Sequence, residues 1–301
     1  MTDGRFSASR RALLTGAAAL GLTAMVAGCG RKDETNAPAE TPQGPPKGSL
    51  EWAVAGPWRS IQDRARDVYR HPMETLRFFG LQPKMKVVDF WPGGGWYTEI
   101  LAPYLAEGGG KYVAAGFETG VGSDPAQVNL MAAFERRFTS DKKLYGEIVI
   151  SAFGATSGPV TDAGTADMVL FMRYIHAWMG AGIAEKAFAD AFAALRPGGV
   201  LGVEQHRLAP DKNQDPAASS GYVQEAFVRQ LAAEAGFVFV EASEVNANPK
   251  DDTDHPFGVE TLSPRRATAP AGEPEDPEFD RSEYDAIGES DRMTLKFRKP
   301  E

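Results

Sequence analysis

The chain has 301 residues, a formal net charge of −9 and 43% hydrophobic residues. A surface this acidic repels phosphate backbones, so the composition argues against a nucleic-acid-binding protein. Cys29 is the only cysteine, which excludes a disulfide within the chain. Stability must therefore come from a hydrophobic core, for which the chain is long enough.

The N-terminal segment has the parts of an export signal. Residues 1–11 hold three arginines and one acid, and an apolar stretch follows over residues 12–27. This stretch is too short and too weakly apolar to span a bilayer, which takes about 20 strongly apolar residues. A basic start, a short apolar run and small residues at its end predict a secretory signal peptide over residues 1–28.

Two motifs within this segment indicate which kind of export signal it is. Residues 9–14, with the pair Arg10 and Arg11, resemble the twin-arginine export signal. Residues 26–29 resemble the lipobox of bacterial lipoproteins, in which the cysteine is acylated and becomes the new N-terminus. The resemblance implies lipidation at Cys29, anchoring on the periplasmic side of the envelope and, with Gly30 next, a preference for the outer membrane. The alternative is an incidental cysteine beside an ordinary cleavage site.

Residues 29–50 are predicted to be a linker. Cleavage before Cys29 removes three arginines and one aspartate, which takes the net charge from −9 to −11. The following residues are charged at first and then rich in proline, alanine and glycine, a composition typical of an extended, flexible tether. We therefore expect one folded domain over residues 51–301.

The predicted domain begins with helical patterns, after which strands and helices alternate. The first predicted elements are helices over 57–69 and 72–79, a strand over 85–90 and a helix over 97–106. A glycine run at 93–95 lies between that strand and the helix after it. Strand, glycine loop and helix in this order form the first unit of a doubly wound sheet.

The alternation continues to the end of the sequence. Further strands are predicted at 111–117, 147–153, 166–172, 200–205, 237–242 and 293–299, with helices at 126–138, 183–195 and 223–235. Such a pattern predicts an α/β fold of the Rossmann-like type, a single domain whose seven-stranded, mostly parallel sheet carries helices on both faces.

An acidic insertion separates the last two predicted strands. Residues 246–291 hold thirteen acids, four basic residues and six prolines. A connection of this length is either functional or disordered. We predict a lid or partner-docking loop over the active face, with disorder as the alternative for residues 264–283.

The end of the first strand carries a recognisable motif. Residues 88–95 place Asp89 on the strand and three glycines just beyond it. This resembles the first motif of class I S-adenosylmethionine methyltransferases, an acid followed by a Gly-x-Gly loop. Residues 195–199 before the fifth strand are a frequent companion in that fold, and the C-terminal segments look like a group of exported, predicted methyltransferases. The resemblance covers roughly residues 60–300 and implies S-adenosylmethionine as cofactor.

The resemblance assigns a set of cofactor residues. They are Asp89, Trp91, Gly93, Gly94, Gly95 and Glu118. Glycines let the backbone approach a ligand, and the helix N-terminus after them presents free N–H groups. In the family this loop passes under the methionine part of the cofactor. The alternative is a tight turn without a ligand.

The sequence departs from the family pattern at three places. Trp91 stands where the motif usually has its first glycine. The acid that holds the cofactor ribose after the second strand has Gly116 at about its place and Glu118 two residues on. Residues 154–156, after the third strand, lack the acid that often lies near the adenine.

Three histidines follow predicted strands. His176 and His206 come after the fourth and fifth strands, and His255 lies in the insertion after the sixth. Ligands of open α/β sheets bind at the carboxyl ends of the strands. If these histidines converge, they supply a general base near neutral pH or a metal site. The alternative is three separate, solvated or structural histidines.

The segment after the fourth strand is the predicted substrate side. The resemblance implies that Arg173, Tyr174, His176 and His206 are catalytic candidates. Arg173 would hold an anionic substrate, and His176 would deprotonate the nucleophile, although methyl transfer mainly needs alignment. The competing interpretation is that Tyr174, Ile175 and Trp178 simply pack beneath the next helix.

No metal site is predicted. Asp251, Asp252 and Asp254 offer the oxygen ligands that hard cations prefer. They lack the spacing of a calcium loop, and a solvated run of charge is the favoured interpretation.

Three functions remain open. The first is a methyltransferase acting on a small molecule or an envelope component, and the second is a binding lipoprotein that keeps the fold without the cofactor. A nicotinamide-dependent enzyme is a weaker third, because the glycine loop lacks the dinucleotide spacing.

Overall fold

The computed structural model describes residues 44–301. The predicted signal peptide, Cys29 and most of the predicted linker lie outside the described residues. Within that range no helix has the length and apolar character needed to cross a membrane. The final two linker residues already belong to the fold, because Ser49 caps the first helix and Leu50 is buried.

The strands form one mixed sheet. They are β1 (Lys86–Phe90), β2 (Lys111–Phe117), β3 (Ile148–Phe153), β4 (Ala166–Met172), β5 (Leu195–Leu208), β6 (Val223–Gln224), β7 (Val238–Ser243) and β8 (Arg292–Arg298). Their order is β3-β2-β1-β4-β5-β8-β7, with the short β6 paired to β5. Both pairings of β8 are antiparallel and the others are parallel, so the predicted mostly parallel sheet is confirmed.

Eleven helices are described in residues 44–301. They are α1 (Leu50–Val54), α2 (Ile61–Ala65), α3 (Asp67–Arg70), α4 (Pro72–Phe79), α5 (Thr98–Gly108), α6 (Pro125–Thr139), α7 (Lys142–Tyr145), α8 (Ile175–Gly180), α9 (Ala184–Ala194), α10 (Glu225–Glu234) and α11 (Ser282–Ile287). A 3₁₀ helix, Gly258–Thr261, lies in the insertion.

Helices cover both faces of the sheet. Phe79 of α4 lies so close to Gly202 of β5 that a Cβ on that glycine would come within 2.7 Å of its ring. Phe188 of α9 packs edge-on against Phe171 of β4, with ring centroids 5.1 Å apart. Gly202 is paired with Leu170, the neighbour of Phe171, and adjacent residues point to opposite faces. The two helices therefore lie on opposite faces, which leaves the central strands fully buried.

The predicted helix over 57–69 is wrong in its extent, because this stretch forms α2 and α3. Ser60 starts α2 by accepting the N–H of Asp63 on its hydroxyl. His71 ends α3 in the left-handed region at φ 38°, as a residue before proline avoids the helical conformation. This bend turns residues 63–70 toward the carboxyl edge of the sheet, where Asp63, Arg66 and Arg70 reach the candidate site.

The acidic insertion follows a defined path in the structure. Asn246 donates to the hydroxyls of Thr75 and Thr294, which ties the start of the insertion to α4 and β8. Arg281 donates to the carbonyl oxygens of Thr261 and Ala267, which closes the central part. Residues 264–283, for which disorder was the alternative prediction, are thus folded as part of the insertion at the carboxyl edge of the sheet.

Candidate functional site

A cavity of about 410 Å³ opens at the carboxyl edge of the sheet. Its walls come from the glycine loop after β1, the segment after β4, the end of β5 and the insertion. Residues that the sequence predicted and that line it are Asp89, Trp91, Gly93, Gly94, Arg173, Tyr174, His176 and His206. The structure therefore brings together predicted residues from three separate strand ends.

Asp89 presents an unpaired oxygen. Tyr112 donates its hydroxyl to Oδ2 at 2.8 Å, whereas Oδ1 is buried without a hydrogen-bond partner among the described residues. Burial raises the pKa of Asp89 to about 7, against the opposing effects of Tyr112 and the Arg173 charge. A buried acceptor without a partner is costly, and a donor or a cation of a ligand would satisfy it.

Two glycines of the loop are sterically required. Gly93 has φ 59°, and a Cβ there would lie 2.7 Å from the hydroxyl of Tyr174. Gly95 has φ 89°, and a Cβ there would lie 2.2 Å from the Phe138 ring. The loop can therefore pass between α6 and the segment after β4 only because both residues lack side chains.

Trp91 occupies the position of the first motif glycine. Its φ of 50° is in the left-handed region, which bulky residues rarely adopt. The indole Nε1 donates to the carbonyl oxygen of Phe153 at 2.8 Å. The ring packs against Phe117 and Tyr174, with centroids 4.4 and 5.5 Å away. Packing and this hydrogen bond hold the tryptophan in a conformation that glycine would adopt freely.

The Trp91 ring separates two cavities. A second cavity of about 400 Å³ is lined by Glu118, by residues 120–123 and by residues 153–156. Among the described residues that line these two cavities, Trp91 alone is common to both. The indole is therefore the wall between the space over the glycine loop and the space beyond β2 and β3.

Glu118 lies just past the end of β2, in the second cavity. Its Oε1 accepts the hydroxyl of Thr156 at 2.6 Å. A Cβ on Gly154 would lie 2.2 Å from Glu118 Oε2, so this carboxylate and the backbone after β3 approach each other closely. The close approach gives a physical reason for a glycine after the third strand, where an acid was expected.

The segment after β4 divides between cavity and core. Ile175 and Trp178 are fully buried, which is the packing that the competing interpretation predicted for them. Arg173 instead lines the cavity and donates from Nη1 to Glu204 Oε1 at 2.9 Å. Burial lowers the pKa of Arg173, but Glu204 more than compensates, so the guanidinium stays charged.

His176 is neutral and has a fixed tautomer. Burial lowers its pKa to about 4. The amide of Gln205 is oriented by its neighbours, since its oxygen accepts from Ile175 N and its nitrogen donates to Gly221 O. That nitrogen also donates to His176 Nδ1 at 3.2 Å. The proton of His176 must therefore sit on Nε2, so this ring offers a donor rather than a base.

His206 lies beside His176, with ring centroids 5.5 Å apart. Its Nδ1 is 2.6 Å from the hydroxyl of Ser290. Burial, followed by the nearby His176 ring and arginine charges, lowers the pKa of His206 well below its ordinary value. His206 is therefore neutral, and its Nε2 can accept a proton when Nδ1 donates to Ser290.

His255 does not join the other two histidines. It lies in the insertion, where its Nε2 donates to Asp251 Oδ1 at 2.8 Å. Asp251 also accepts from the hydroxyl of Tyr222 and from the backbone N–H groups of Thr253 and Asp291. We call Tyr222, Asp251 and His255 the insertion anchor.

The interpretation of this segment as solvated charge holds for Asp252 and Asp254, which are exposed, but is wrong for Asp251, which is buried. Asp251, Asp252 and His255 lie close enough to hold a metal ion. The side chains of Asp251 and His255 are 0% and 1% exposed, whereas that of Asp252 is 70% exposed. Because four donors already occupy the Asp251 oxygens, the geometry serves to fix the insertion.

The sequence interpretation missed several residues of the site. Glu204 and Gln205, which hold Arg173 and His176 from behind the cavity wall, directly precede His206 at the end of a predicted strand, and two polar residues there were a usable signal. Arg66, Arg70 and Ser290 come from segments far away in sequence, and no local pattern marks them.

Comparisons with known proteins are consistent with this architecture. No protein-family model matches the sequence, and no curated protein matches it. A proposed sarcosine dimethylglycine methyltransferase from Galdieria sulphuraria is similar in structure, with a TM-score of 0.51 and 15% identity over 82% of this chain and 90% of that one. A likeness at this identity shows the fold, which is that of the class I methyltransferases.

Two further solved structures have lower scores. A SAM-dependent methyltransferase from Aquifex aeolicus has a TM-score of 0.47 and 21% identity, over 60% of this chain and 87% of that one. The [4+2]-cyclase SpnF has a TM-score of 0.49 and 16% identity, over 83% of this chain and 91% of that one.

Proposed function

We propose that this protein is an S-adenosylmethionine-dependent methyltransferase acting on a small molecule or an envelope component. The observation that carries the proposal is the buried, unpaired Oδ1 of Asp89, a residue that lines the cavity beside the glycine loop. A buried acceptor next to a backbone that tolerates no side chains is typical of a ligand site.

The residues present fit the cofactor at two of its parts. Asp89 and the loop at Gly93 would hold the methionine part, and Glu118 would hold the ribose. Bound there, the cofactor supplies a methyl group on a positively charged sulfur. The residues for these two parts belong to different cavities, so Trp91 must turn aside for one ligand to reach both.

The polar residues across the cavity would handle the methyl acceptor. His176 donates from Nε2 and orients an acceptor atom, while the neutral His206 beside it offers a second hydrogen-bonding group. Tyr174 and the insertion segment at Val259 exclude water from this space. Alignment of this kind is the main contribution a protein makes to a displacement reaction.

A second candidate function is a binding lipoprotein that keeps the fold without the cofactor. The position of Trp91 favours it, because the indole already fills the space between the two cavities. The two candidates differ in one measurable property, the affinity for the cofactor.

Calorimetric titration of the purified protein with S-adenosylmethionine and S-adenosylhomocysteine tests the proposal. We expect micromolar binding, which a tryptophan at Gly93 abolishes by filling the contact with Tyr174. Gly158→Trp is the matched control, because a side chain at this exposed glycine meets no atom within 4 Å. Absence of binding at millimolar ligand contradicts the proposal and leaves the binding lipoprotein.

A further inference from the structure

One wall of the 410 Å³ cavity contains more positive than negative charge. A connected network there consists of Arg66, Arg70, Arg173 and Arg292 with Glu204 and Glu289. We call these six residues the arginine network. Four guanidinium groups share two carboxylates, so the network has a net charge of +2 in a protein whose overall charge is −9.

The carboxylates of the network are fully committed. Glu289 accepts from Arg66 Nε at 2.9 Å and from Arg70 Nε at 2.8 Å. Arg292 Nη1 lies 2.9 Å from Glu289 and 3.2 Å from Glu204. The side chains of both glutamates are at most 3% exposed. They therefore hold the arginines in place but leave part of their charge uncompensated.

Three of the four arginines line the cavity and carry guanidinium nitrogens that the network leaves without a partner. Arg66 and Arg70 bind Glu289 through Nε, and Arg173 binds Glu204 through Nη1. Within residues 44–301, both Nη atoms of Arg66 and Arg70 and the Nη2 of Arg173 make no hydrogen bond. None of these atoms is among the buried unpaired ones, so they reach accessible space. Planar guanidinium forks of this kind match carboxylate and phosphate oxygens.

The other charges around the cavity lie outside this network. Glu260 is paired with Arg265, and Arg137 is paired with Glu99. Asp63 and Asp89 also line the cavity and add up to two negative charges, so the positive excess belongs to the arginine wall and not to the cavity as a whole. Asp89, beside the glycine loop, would repel an anion and so favour its binding at the arginines.

We propose that the methyl acceptor is a small anionic molecule, with a carboxylate or phosphate group bound by Arg66, Arg70 and Arg173. This inference rests on the proposed function, since it names the class of substrate for the same site. The anionic group fixes one end of the molecule, and its nucleophilic atom then lies toward His176 and His206, which line the same cavity.

Inorganic phosphate is the probe for the anion subsite. We expect the purified protein to bind it with a millimolar or lower Kd at constant ionic strength, and Arg66→Gln to weaken binding about tenfold. Arg77→Gln is the matched control, because Arg77 also pairs with a glutamate but lies outside the cavity. This variant should change the Kd less than about twofold.

A second measurement is independent of the variants. Methylphosphonate carries the charge and trimethyl phosphate does not, so only the first should bind. Equal binding of methylphosphonate and trimethyl phosphate overturns the inference, whether or not Arg66→Gln folds well. An equal effect of Arg66→Gln and Arg77→Gln on the Kd for phosphate also overturns it.

Two further outcomes separate the inference from the proposed function. If phosphate competes with S-adenosylhomocysteine, the arginines hold the carboxylate of the cofactor and the inference is wrong. Binding of S-adenosylhomocysteine without phosphate binding overturns the inference alone. Phosphate binding without S-adenosylhomocysteine binding overturns the proposed function, and with it the assignment of the anion as methyl acceptor, although the arginines would still form an anion subsite.

Discussion

Trp91 combines an unfavourable backbone with favourable packing. An L-residue in the left-handed region costs about 1 kcal/mol, and the contacts of the ring with Phe117, Phe153 and Tyr174 offset this cost. The same ring separates the two cavities that a bound cofactor would have to join. A single side chain thus sets both local stability and access to the site.

Trp91→Gly should bind S-adenosylhomocysteine at least about tenfold more tightly than the natural protein, because the two cavities become one. It should also lose about 2–4 kcal/mol of unfolding free energy, since lost aromatic packing exceeds the relief of backbone strain. Calorimetry and urea unfolding measure the two effects.

Trp52→Gly serves as the control for this substitution, because Trp52 is partly buried and lines neither cavity. It should lower stability without changing the affinity for the ligand. Unchanged or weaker ligand binding by Trp91→Gly would show that the indole does not obstruct the site.

The predictable part of the site is the part with local signals. Asp89 lies near the end of an apolar strand that the glycines follow, and His176 and His206 follow two other predicted strands, so strand ends alone place them at one edge. The tautomer of His176 depends on Gln205, which depends in turn on Gly221 and Ile175. Such orientation arises from tertiary contacts, which spacing along the chain does not encode.

At the scale of elements, the acidic insertion depends on its anchor. Burial raises the pKa of Asp251, but the hydrogen bonds from His255, the backbone and Tyr222 lower it overall. The pKa of His255 is raised by Asp251 despite its burial. The Asp251 contribution to stability is present above pH 3.8 and is lost as the pH falls. The His255 contribution is present below pH 6.5 and is lost as the pH rises through its raised pKa.

Asp251→Asn should therefore lower the free energy of unfolding most between pH 3.8 and pH 6.5. We expect a loss of about 1–3 kcal/mol near pH 5–6, and a smaller loss at either side, in urea unfolding at several pH values. Hydrogen exchange should increase across the insertion.

Asp254→Asn is the control for the anchor, because the Asp254 side chain lies outside the hydrogen bonds of Asp251. It should leave exchange in the insertion unchanged. A pH-independent effect of Asp251→Asn would contradict the ionic contribution of the pair.

The sequence predicted the strands better than the short elements. β2 and β4 lie at their predicted positions, because buried parallel strands are uninterrupted apolar runs. The helix α1, the strand β6 and the division between α2 and α3 were missed. Each of these elements has five residues or fewer. Capping and tertiary contacts, rather than hydrophobic periodicity, determine such short elements.

At the scale of the whole molecule, the sheet order and the insertion place the residues that line the cavity at one edge. β1, β4 and β5 lie side by side in the sheet, so the residues at their carboxyl ends meet. The insertion between β7 and β8 then covers that edge and supplies Ser290 and Glu289. The cavity for the proposed substrate is therefore bounded by the insertion and by the segment around α2 and α3.

The predicted lipid anchor determines where such a substrate is found. If Cys29 is acylated, the domain is tethered to the membrane through the predicted linker, which ends by residue 50. Several acyl chains contribute about 0.8 kcal/mol for each buried methylene, enough for stable attachment without a spanning helix.

Cys29→Ser should therefore move the protein from the membrane to the soluble periplasmic fraction, while its S-adenosylhomocysteine affinity stays the same. Cell fractionation and mass spectrometry of the N-terminal peptide measure this change. Replacement of Arg10 and Arg11 by lysine should separately block export if the twin-arginine interpretation is correct. A natural protein whose N-terminal peptide carries no lipid on Cys29 would exclude the lipid anchor and require another attachment.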